Sequence, residues 1–80
     1  MSWYVYMLRC KDNSLYSGIT TDVERRVSEH NTDNVKGAKY TKPRRPVELV
    51  YQKECADRSS GASAEAALKQ LSKAEKEKLC

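Results

Sequence analysis

Residues 16–31 read YSGITTDVERRVSEHN, and this stretch predicts a short strand, a tight exit at a glycine and a capped helix. Gly18 is expected to end the strand. Thr21 and Glu24 have the spacing of a capping box, so the helix should begin at about Asp22.

Two neighbouring arginines of this helix should point in different directions. Val23 and Val27 mark the inner face, and on a 3.6-residue period Arg26 and His30 fall close to the same stripe. Arg25 points nearly the opposite way and is expected to be a solvated charge. The simplest interpretation of Arg26 is a side chain that extends its charged head from the edge of the stripe.

A second strand precedes this stretch. Residues 3–10 are rich in aromatic and β-favouring types, and a hairpin should join them to the strand that contains Tyr16. A two-residue hairpin loop would pair Arg9 with Tyr16, whereas a three-residue loop would pair Leu8 with Tyr16.

The three-residue loop, residues 11–13, is the better interpretation. Such loops hold their last residue in the left-handed region, which Asn13 tolerates well. Because side chains alternate along a strand, this register puts Tyr16 on the same face of the sheet as Tyr6.

The rest of the chain predicts a third strand and two more helices. Residues 31–46 form a long, polar and basic connection, and loops of this kind are usually functional or mobile. Residues 47–51 predict a strand that is central or well covered. Residues 57–61 predict a helix entry, and a capping-box pattern at 72–75 predicts a break before a short last helix that runs to Cys80. The apolar stripe of the longer helix, with Glu65 at its edge, comprises Ala64, Ala67, Leu68 and Leu71.

Composition limits the function classes. Eighty residues make one small domain, and 39% hydrophobic with 32% charged residues is typical of a globular protein. No apolar run approaches membrane-spanning length and no signal pattern opens the chain, so we expect a cytoplasmic protein without a membrane partner. The three cysteines lie far apart without a CxxC pattern, which predicts reduced thiols and no zinc site.

The net charge of +4 is concentrated in one segment, residues 36–45, which we call the basic loop. Cations beside an aromatic ring suit phosphate contact combined with base stacking. The candidate nucleic-acid-binding residues are Lys36, Lys39, Tyr40, Lys42, Arg44 and Arg45.

Five residues could together hydrolyse a phosphodiester. Water must lose a proton, charge at phosphorus must be stabilised, and a carboxylate can hold one Mg²⁺. The candidates are Tyr6 and Tyr16 on one strand face, Arg26 and His30 on the next helix, and Glu65 on a later helix.

The ordered set of motifs resembles the GIY-YIG endonuclease family, specifically its small standalone bacterial type. Residues 4–6 (YVY) stand where the first tripeptide of the family belongs, and residues 16–18 (YSG) where the second belongs. Arg26, eight residues past Gly18, matches the family's helix arginine. The resemblance covers essentially the whole chain and includes residues 30–31, 37–41, 44–51 and 65–76.

The resemblance implies an α+β fold in a single domain, residues 1–80. A three-stranded antiparallel sheet would be flanked by helices in the order β-β-α-β-α-α. It also implies an endonuclease that hydrolyses DNA with one Mg²⁺ or Mn²⁺ ion and no small-molecule cofactor. DNA repair or recombination is the expected setting, while the natural substrate and the oligomeric state stay open.

The resemblance also implies a role for each site residue. Tyr16 would be the general base or would orient the attacking water, and Tyr6 would position or polarise that water. Arg26 would stabilise charge in the transition state, and His30 would support the phosphate or the leaving group. Glu65 would hold the metal.

The sequence departs from the family pattern at several positions. Tyr4 replaces the first glycine of the family name, and Ile19 stands where many members have a lysine. Gly61 and Ser63 weaken the helix that carries Glu65. With no second DNA-binding domain, contacts should go mainly to backbone phosphates.

Two other functions stay open. One is a nucleic-acid-binding module without catalysis, and the other is a protein–protein adaptor that uses the aromatic strand face. The intact set of Tyr16, Arg26 and Glu65 favours the enzyme over the module, and the basic loop has no purpose in the adaptor.

Overall fold

The computed structural model describes residues 2–80, and it contains three strands and three helices in the predicted order β-β-α-β-α-α. The elements are β1 (Trp3–Arg9), β2 (Leu15–Thr20), α1 (Val23–Thr32), β3 (Glu48–Cys55), α2 (Arg58–Gln70) and α3 (Lys73–Glu77), with a 3₁₀ turn at Lys42–Arg44 before β3.

The hairpin between β1 and β2 has the predicted three-residue loop. Leu8 pairs with Tyr16, and the backbone N–H of Cys10 donates to the carbonyl of Ser14 across the loop. Asn13 has a φ of 70°, the left-handed conformation that this loop requires. Tyr6 and Tyr16 therefore lie on the same face of the sheet, as predicted.

The sheet is antiparallel with the order β2-β1-β3, so β1 is its central strand. The prediction that the third strand is central or well covered is wrong. The buried run from Val5 to Leu8 in β1 has both faces covered, whereas β3 lies at an edge and is exposed along much of its length. The third strand also continues to Cys55, beyond the predicted end at residue 51.

Two small hydrophobic clusters lie on opposite faces of the sheet. On the first face, Tyr6, Leu8, Cys10 and Val47 are buried, and Val27 of α1 packs against them. On the second face, the buried residues are Val5, Met7 and Leu68 of α2. Ala67, which was predicted for the α2 stripe, is exposed instead.

Helix α1 begins differently from the prediction. Asp22 is its N-cap, and the Asp22 carboxylate accepts a hydrogen bond from the backbone N–H of Arg25 at 3.1 Å. The Thr21–Glu24 capping box is therefore wrong, because the aspartate takes the capping position one residue later. Gly18 does not end β2, which continues to Thr20.

The last two helices begin at the predicted positions. Asp57 caps α2, and Ser72 with Glu75 forms a complete capping box at α3. Helix α3 ends at Glu77 rather than at Cys80. An ion pair between Arg9 and Glu77 joins α3 to β1. None of the helices in residues 2–80 has the length and apolar character needed to span a membrane.

Candidate active site

The site begins with a close contact between β1 and β2. The Tyr6 side chain is 1% exposed and crosses the backbone of Gly18, its partner in the β1–β2 ladder. A Cβ atom at position 18 would lie 2.5 Å from the Tyr6 hydroxyl oxygen and 2.7 Å from its ring carbon Cζ. The glycine is therefore required for close approach of the ring, and its φ is not in the left-handed region.

His30 of α1 lies beneath both tyrosines and has no exposed surface. Its ring meets the rings of Tyr6 and Tyr16 edge-on, with centroid distances of 5.9 and 5.3 Å. Its Nε2 atom lies 2.8 Å from the Tyr6 hydroxyl, and its Nδ1 atom lies 3.0 Å from Oγ1 of Thr41.

The partner of Thr41 determines which imidazole nitrogen carries the proton. The Thr41 hydroxyl donates its single proton to the carbonyl of Ala38 at 3.0 Å, so it must accept from His30. Nδ1 is therefore the donor nitrogen, and Nε2 accepts the proton of the Tyr6 hydroxyl. This geometry directs the Tyr6 O–H bond into the interior.

Burial keeps both members of this pair in their neutral forms. It raises the pKa of Tyr6 to about 12, an effect that the nearby Arg26 guanidinium partly offsets. Burial, reinforced by the charge of Arg26, lowers the pKa of His30 to about 4. At neutral pH, Tyr6 is a protonated phenol and His30 an uncharged imidazole.

Arg26 lies at the edge of the site, as its helical phase predicts. Its side chain is 25% exposed against 61% for Arg25. The Arg26 Nη1 atom donates to Oε1 of Glu29 at 3.0 Å and to the carbonyl of Lys36 at 2.6 Å. These bonds hold the guanidinium between the helix and the basic loop, next to the Tyr6 hydroxyl.

Glu65 approaches the same region from α2. Its charge contributes, as the smallest of the causes, to the raised pKa of Tyr6. The Glu65 carboxylate is 22% exposed and forms an ion pair of 2.9 Å with Lys69, one turn further along the helix.

A metal at this position would have Glu65 as its protein ligand. No group of three or more His, Cys, Asp or Glu side chains within residues 2–80 could enclose an ion. A site with one carboxylate fits Mg²⁺ or Mn²⁺ if water and substrate phosphate supply the remaining ligands. The surface ion pair with Lys69 is weak enough to yield to a divalent ion.

The cations of the basic loop differ in their contacts with the rest of the chain. Arg45 donates to the carbonyls of His30 and Asp33 at 2.6 and 3.0 Å, and to Oδ1 of Asn34 at 3.0 Å. Its guanidinium therefore closes the C-terminal end of α1, and its assignment as a nucleic-acid contact stays a prediction. Within residues 2–80, no ion pair involves Lys36, Lys39 or Lys42.

Tyr40 and Arg44 form a stack on Tyr16. The rings of Tyr40 and Tyr16 are 5.8 Å apart and nearly parallel, at 21°. The Arg44 guanidinium covers the Tyr40 ring at 4.0 Å from its centroid. In this conformation Tyr40 stacks within the chain itself, and the base stacking that the sequence predicted stays a prediction.

The basic loop is anchored to the C-terminal end of α1. Besides the bonds of Arg45, a built Cβ at Gly37 would lie 2.6 Å from the carbonyl oxygen of Asp33 and 2.9 Å from that of Glu29. The loop backbone is therefore packed tightly against the end of α1. These contacts anchor the loop to α1, and its mobility without nucleic acid stays a prediction.

Two further residues of the site were not predicted from the sequence. Glu29 follows Arg26 by three residues, a spacing that brings side chains together on a helix, so a local signal existed. Thr41 gave no such signal, because its contact with His30 spans eleven residues and depends on the path of the loop.

Comparison with known proteins finds one family and several relatives that resemble the whole chain. Residues 2–78 match the family described as GIY-YIG catalytic domain. A UPF0213 protein of Desulfotalea psychrophila is 51% identical over 78 residues, covering 98% of this chain and 70% of the relative. A UPF0213 protein of Staphylococcus haemolyticus is 51% identical over 76 residues, covering 95% and 90%.

Solved structures of similar proteins have the same fold. The solution NMR structure of a protein from E. faecalis has a TM-score of 0.64 and 44% identity, covering 99% of this chain and 83% of the other. The solution NMR structure of a UPF0213 protein from Bacillus halodurans has a TM-score of 0.60 and 44% identity, covering 99% and 82%. The chain therefore belongs to the GIY-YIG family, a family of nuclease type, and its relatives within that family are UPF0213 proteins.

Proposed function

We propose that the protein is an endonuclease that hydrolyses DNA phosphodiester bonds with the help of one divalent metal ion. The observation that carries the proposal is the convergence of Tyr6, Tyr16 and Arg26 around the buried imidazole of His30, with Glu65 at the edge. The partly exposed guanidinium of Arg26 beside the Tyr6 hydroxyl supports the proposal, because its N–H fork can also reach phosphate oxygens.

Tyr6 orients the attacking water in this proposal. It remains protonated, and its proton is committed to His30, so its oxygen can only accept hydrogen bonds. A lone pair accepts a hydrogen bond from water and fixes one water proton. The second tyrosine, Tyr16, is partly exposed on the same sheet face and is the group that takes up or relays the proton of the attacking water.

His30 is a positioning residue rather than a phosphate contact. It has no exposed atom and stays neutral, so it acts through the Tyr6 hydroxyl that it holds. Support of the phosphate or the leaving group by His30 itself would require the ring to leave its buried position. Arg26 is the cation that can reach phosphate oxygens, through a fork of N–H donors.

Glu65 is the residue proposed to hold Mg²⁺ or Mn²⁺. The ion would supply charge neutralisation at the phosphate and the leaving oxygen. The chain's own contribution is a single carboxylate on a helix whose backbone is fixed by packing. Lys36, Lys39 and Lys42 would contact the phosphate backbone near the site.

Repair or recombination of DNA in the cytoplasm is the setting that we propose for this activity. A domain that contacts mainly phosphates selects its substrate by shape rather than by base sequence. Branched, nicked and single-stranded DNA are therefore the substrates to compare first.

The test is a cleavage assay on a panel of duplex, nicked, branched and single-stranded DNA with Mg²⁺ and with Mn²⁺. Glu65→Ala is the negative control. Cleavage of at least one substrate that requires both the metal and Glu65 supports the proposal. Binding without cleavage under all conditions contradicts it.

A non-catalytic nucleic-acid-binding module is the second candidate. One observation favours it: Arg26 is engaged by Glu29 and Lys36, and Glu65 is engaged by Lys69. Substrate would have to replace these internal partners before catalysis. Retained DNA affinity together with no metal-dependent cleavage identifies this alternative.

A further inference from the structure

A stack of side chains at the surface packs against Tyr16. We call it the column, and its members are Tyr40, Arg44 and Asp12. Tyr40 stacks on the Tyr16 ring, and the Arg44 guanidinium lies over the Tyr40 ring. Asp12, in the β1–β2 hairpin loop, accepts a hydrogen bond from Nε of Arg44 at 3.0 Å. The column thus runs from the hairpin loop through the basic loop to the tyrosine.

The outer end of the column is fixed on both sides. The Asp12 carboxylate accepts hydrogen bonds from the backbone N–H of Ser14 at 3.1 Å and from its hydroxyl at 2.5 Å. These bonds and the Arg44 charge hold the pKa of Asp12 below its usual range. Arg44 Nη1 also donates to the carbonyl of Tyr40 at 2.8 Å, and the Arg44 carbonyl accepts from the N–H of Lys11 at 2.9 Å.

At the inner end of the column, the Tyr16 ring contacts both Tyr40 and His30. The edge-on contact with His30, at 64°, covers one flank of Tyr16, and the stacked Tyr40 covers another. A ring confined in this way has little freedom to rotate about its side-chain bonds. The position of its hydroxyl is therefore set by both neighbours.

Burial does not account for the column. Tyr40 is 39% exposed, and Arg44 and Asp12 pair at the surface, where an ion pair contributes little to stability. The stack also has a second consequence, which is to fix the direction of one partly exposed side chain, Tyr16.

We propose that Tyr40, supported by Arg44 and Asp12, is a positioning residue that sets the direction of the Tyr16 hydroxyl and does not bind a nucleic-acid base. The proposal rests on the proposed function, because Tyr16 has a task only if the site hydrolyses phosphodiesters. It replaces the expected base stacking by Tyr40 and the expected phosphate contact by Arg44.

The test compares Tyr40→Leu, which removes the aromatic face, with Tyr40→Phe, which keeps it. Single-turnover cleavage and DNA affinity are measured for each, with Asp12→Asn as a probe of the outer end. A misplacement of about 1 Å in a reacting group can reduce a rate about 100-fold.

The expected result is a loss of cleavage rate in Tyr40→Leu by roughly 10- to 100-fold at saturating DNA, with the dissociation constant for DNA unchanged. Tyr40→Phe should recover most of the rate, and Asp12→Asn should lie between the two. A loss in Tyr40→Leu that disappears at saturating DNA would mean that Tyr40 binds the substrate, and the proposal would be wrong.

A second measurement does not depend on activity. A 3-fluorotyrosine incorporated at position 16 reports the surroundings of that ring by ¹⁹F NMR. The proposal predicts a changed shift or line width in Tyr40→Leu and a parent-like signal in Tyr40→Phe. An unchanged signal in Tyr40→Leu overturns the proposal even if the parent protein cleaves DNA. If the parent cleaves nothing, the proposed function fails, and the ¹⁹F signal alone still decides whether the column holds Tyr16.

Discussion

The Tyr6 hydroxyl lies 2.8 Å from Nε2 of His30, and the second nitrogen of that imidazole is committed to the hydroxyl of Thr41. This chain of two hydrogen bonds fixes the direction of the Tyr6 proton. It links the central strand, α1 and the basic loop at one buried point. A substitution at Tyr6, His30 or Thr41 should therefore change the hydrogen bonding of the other two residues.

The buried imidazole predicts a specific dependence of stability on pH. His30 is the single histidine, and its pKa of about 4 in the folded protein lies below the ordinary value of 6.5. The unfolded chain therefore binds the proton more readily, and stability must fall as pH falls from about 6.5 toward 4. Between pH 7 and pH 5, the free energy of unfolding should drop by about 2 kcal/mol.

Urea unfolding at closely spaced pH values measures this slope. The carboxylates titrate mainly below about pH 4.5, so the window above that value belongs to His30. His30→Gln is the control and should flatten the slope. Stability that does not change between pH 6.5 and pH 4.5 would show that the imidazole is not held neutral.

The two arginines of α1 should behave differently when each is replaced. Arg26→Ala should reduce cleavage by about 100- to 1,000-fold, because a donor that stabilises charge in the transition state contributes a few kcal/mol. Arg25→Ala should change the rate little, since Arg25 points to solvent. Single-turnover rates with the same DNA provide the comparison. Equal losses in the two variants would contradict the assignment of Arg26.

Much of the fold could be predicted from local patterns. Leu8–Tyr16 pairing followed from the length of the hairpin loop and the tolerance of Asn13 for a positive φ. The outward direction of Arg25 followed from helical periodicity. Each of these features is decided by residues close together in sequence, so the information is present locally.

Features that depend on long-range packing could not be predicted in this way. The edge position of β3 depends on which strand pairs with β1, and short apolar strands look alike whether they are central or at an edge. The contacts of Arg45 with the end of α1 join parts of the chain that are 11 to 15 residues apart. A run of cations in a loop does not reveal which of them are internally bonded.

Replacement of Gly18 by alanine tests the close contact with Tyr6. The added Cβ would overlap the Tyr6 hydroxyl and ring, so either the strand or the tyrosine must move. We expect a loss of stability of about 1–3 kcal/mol, and a displaced Tyr6 that no longer bonds His30. Thermal unfolding and NMR of the imidazole provide the readouts. An alanine variant with parent stability and an unchanged His30 signal would argue against the contact.

The cations of the basic loop should separate into two classes. Replacing Lys36, Lys39 and Lys42 with glutamine should weaken DNA binding, and the slope of log affinity against log salt should fall by roughly one unit for each phosphate that is no longer neutralised. Arg45→Gln should instead lower stability by about 2 kcal/mol, because its bonds to helix carbonyls are removed. Salt titrations and unfolding curves for both variants decide between the classes. An unchanged salt slope in the triple variant would leave the loop without a role in DNA binding.

Metal-dependent cleavage by the Glu65→Gln variant tests the central claim most directly. The substitution keeps the shape of the side chain and removes the charge that holds the ion, and Glu48→Gln on the exposed edge of β3 is the matched control. We expect Glu65→Gln to fold and to bind DNA like the parent, and to lose cleavage by at least about 100-fold with both Mg²⁺ and Mn²⁺. Cleavage at the parent rate would contradict the claim that Glu65 carries the metal in this nuclease site.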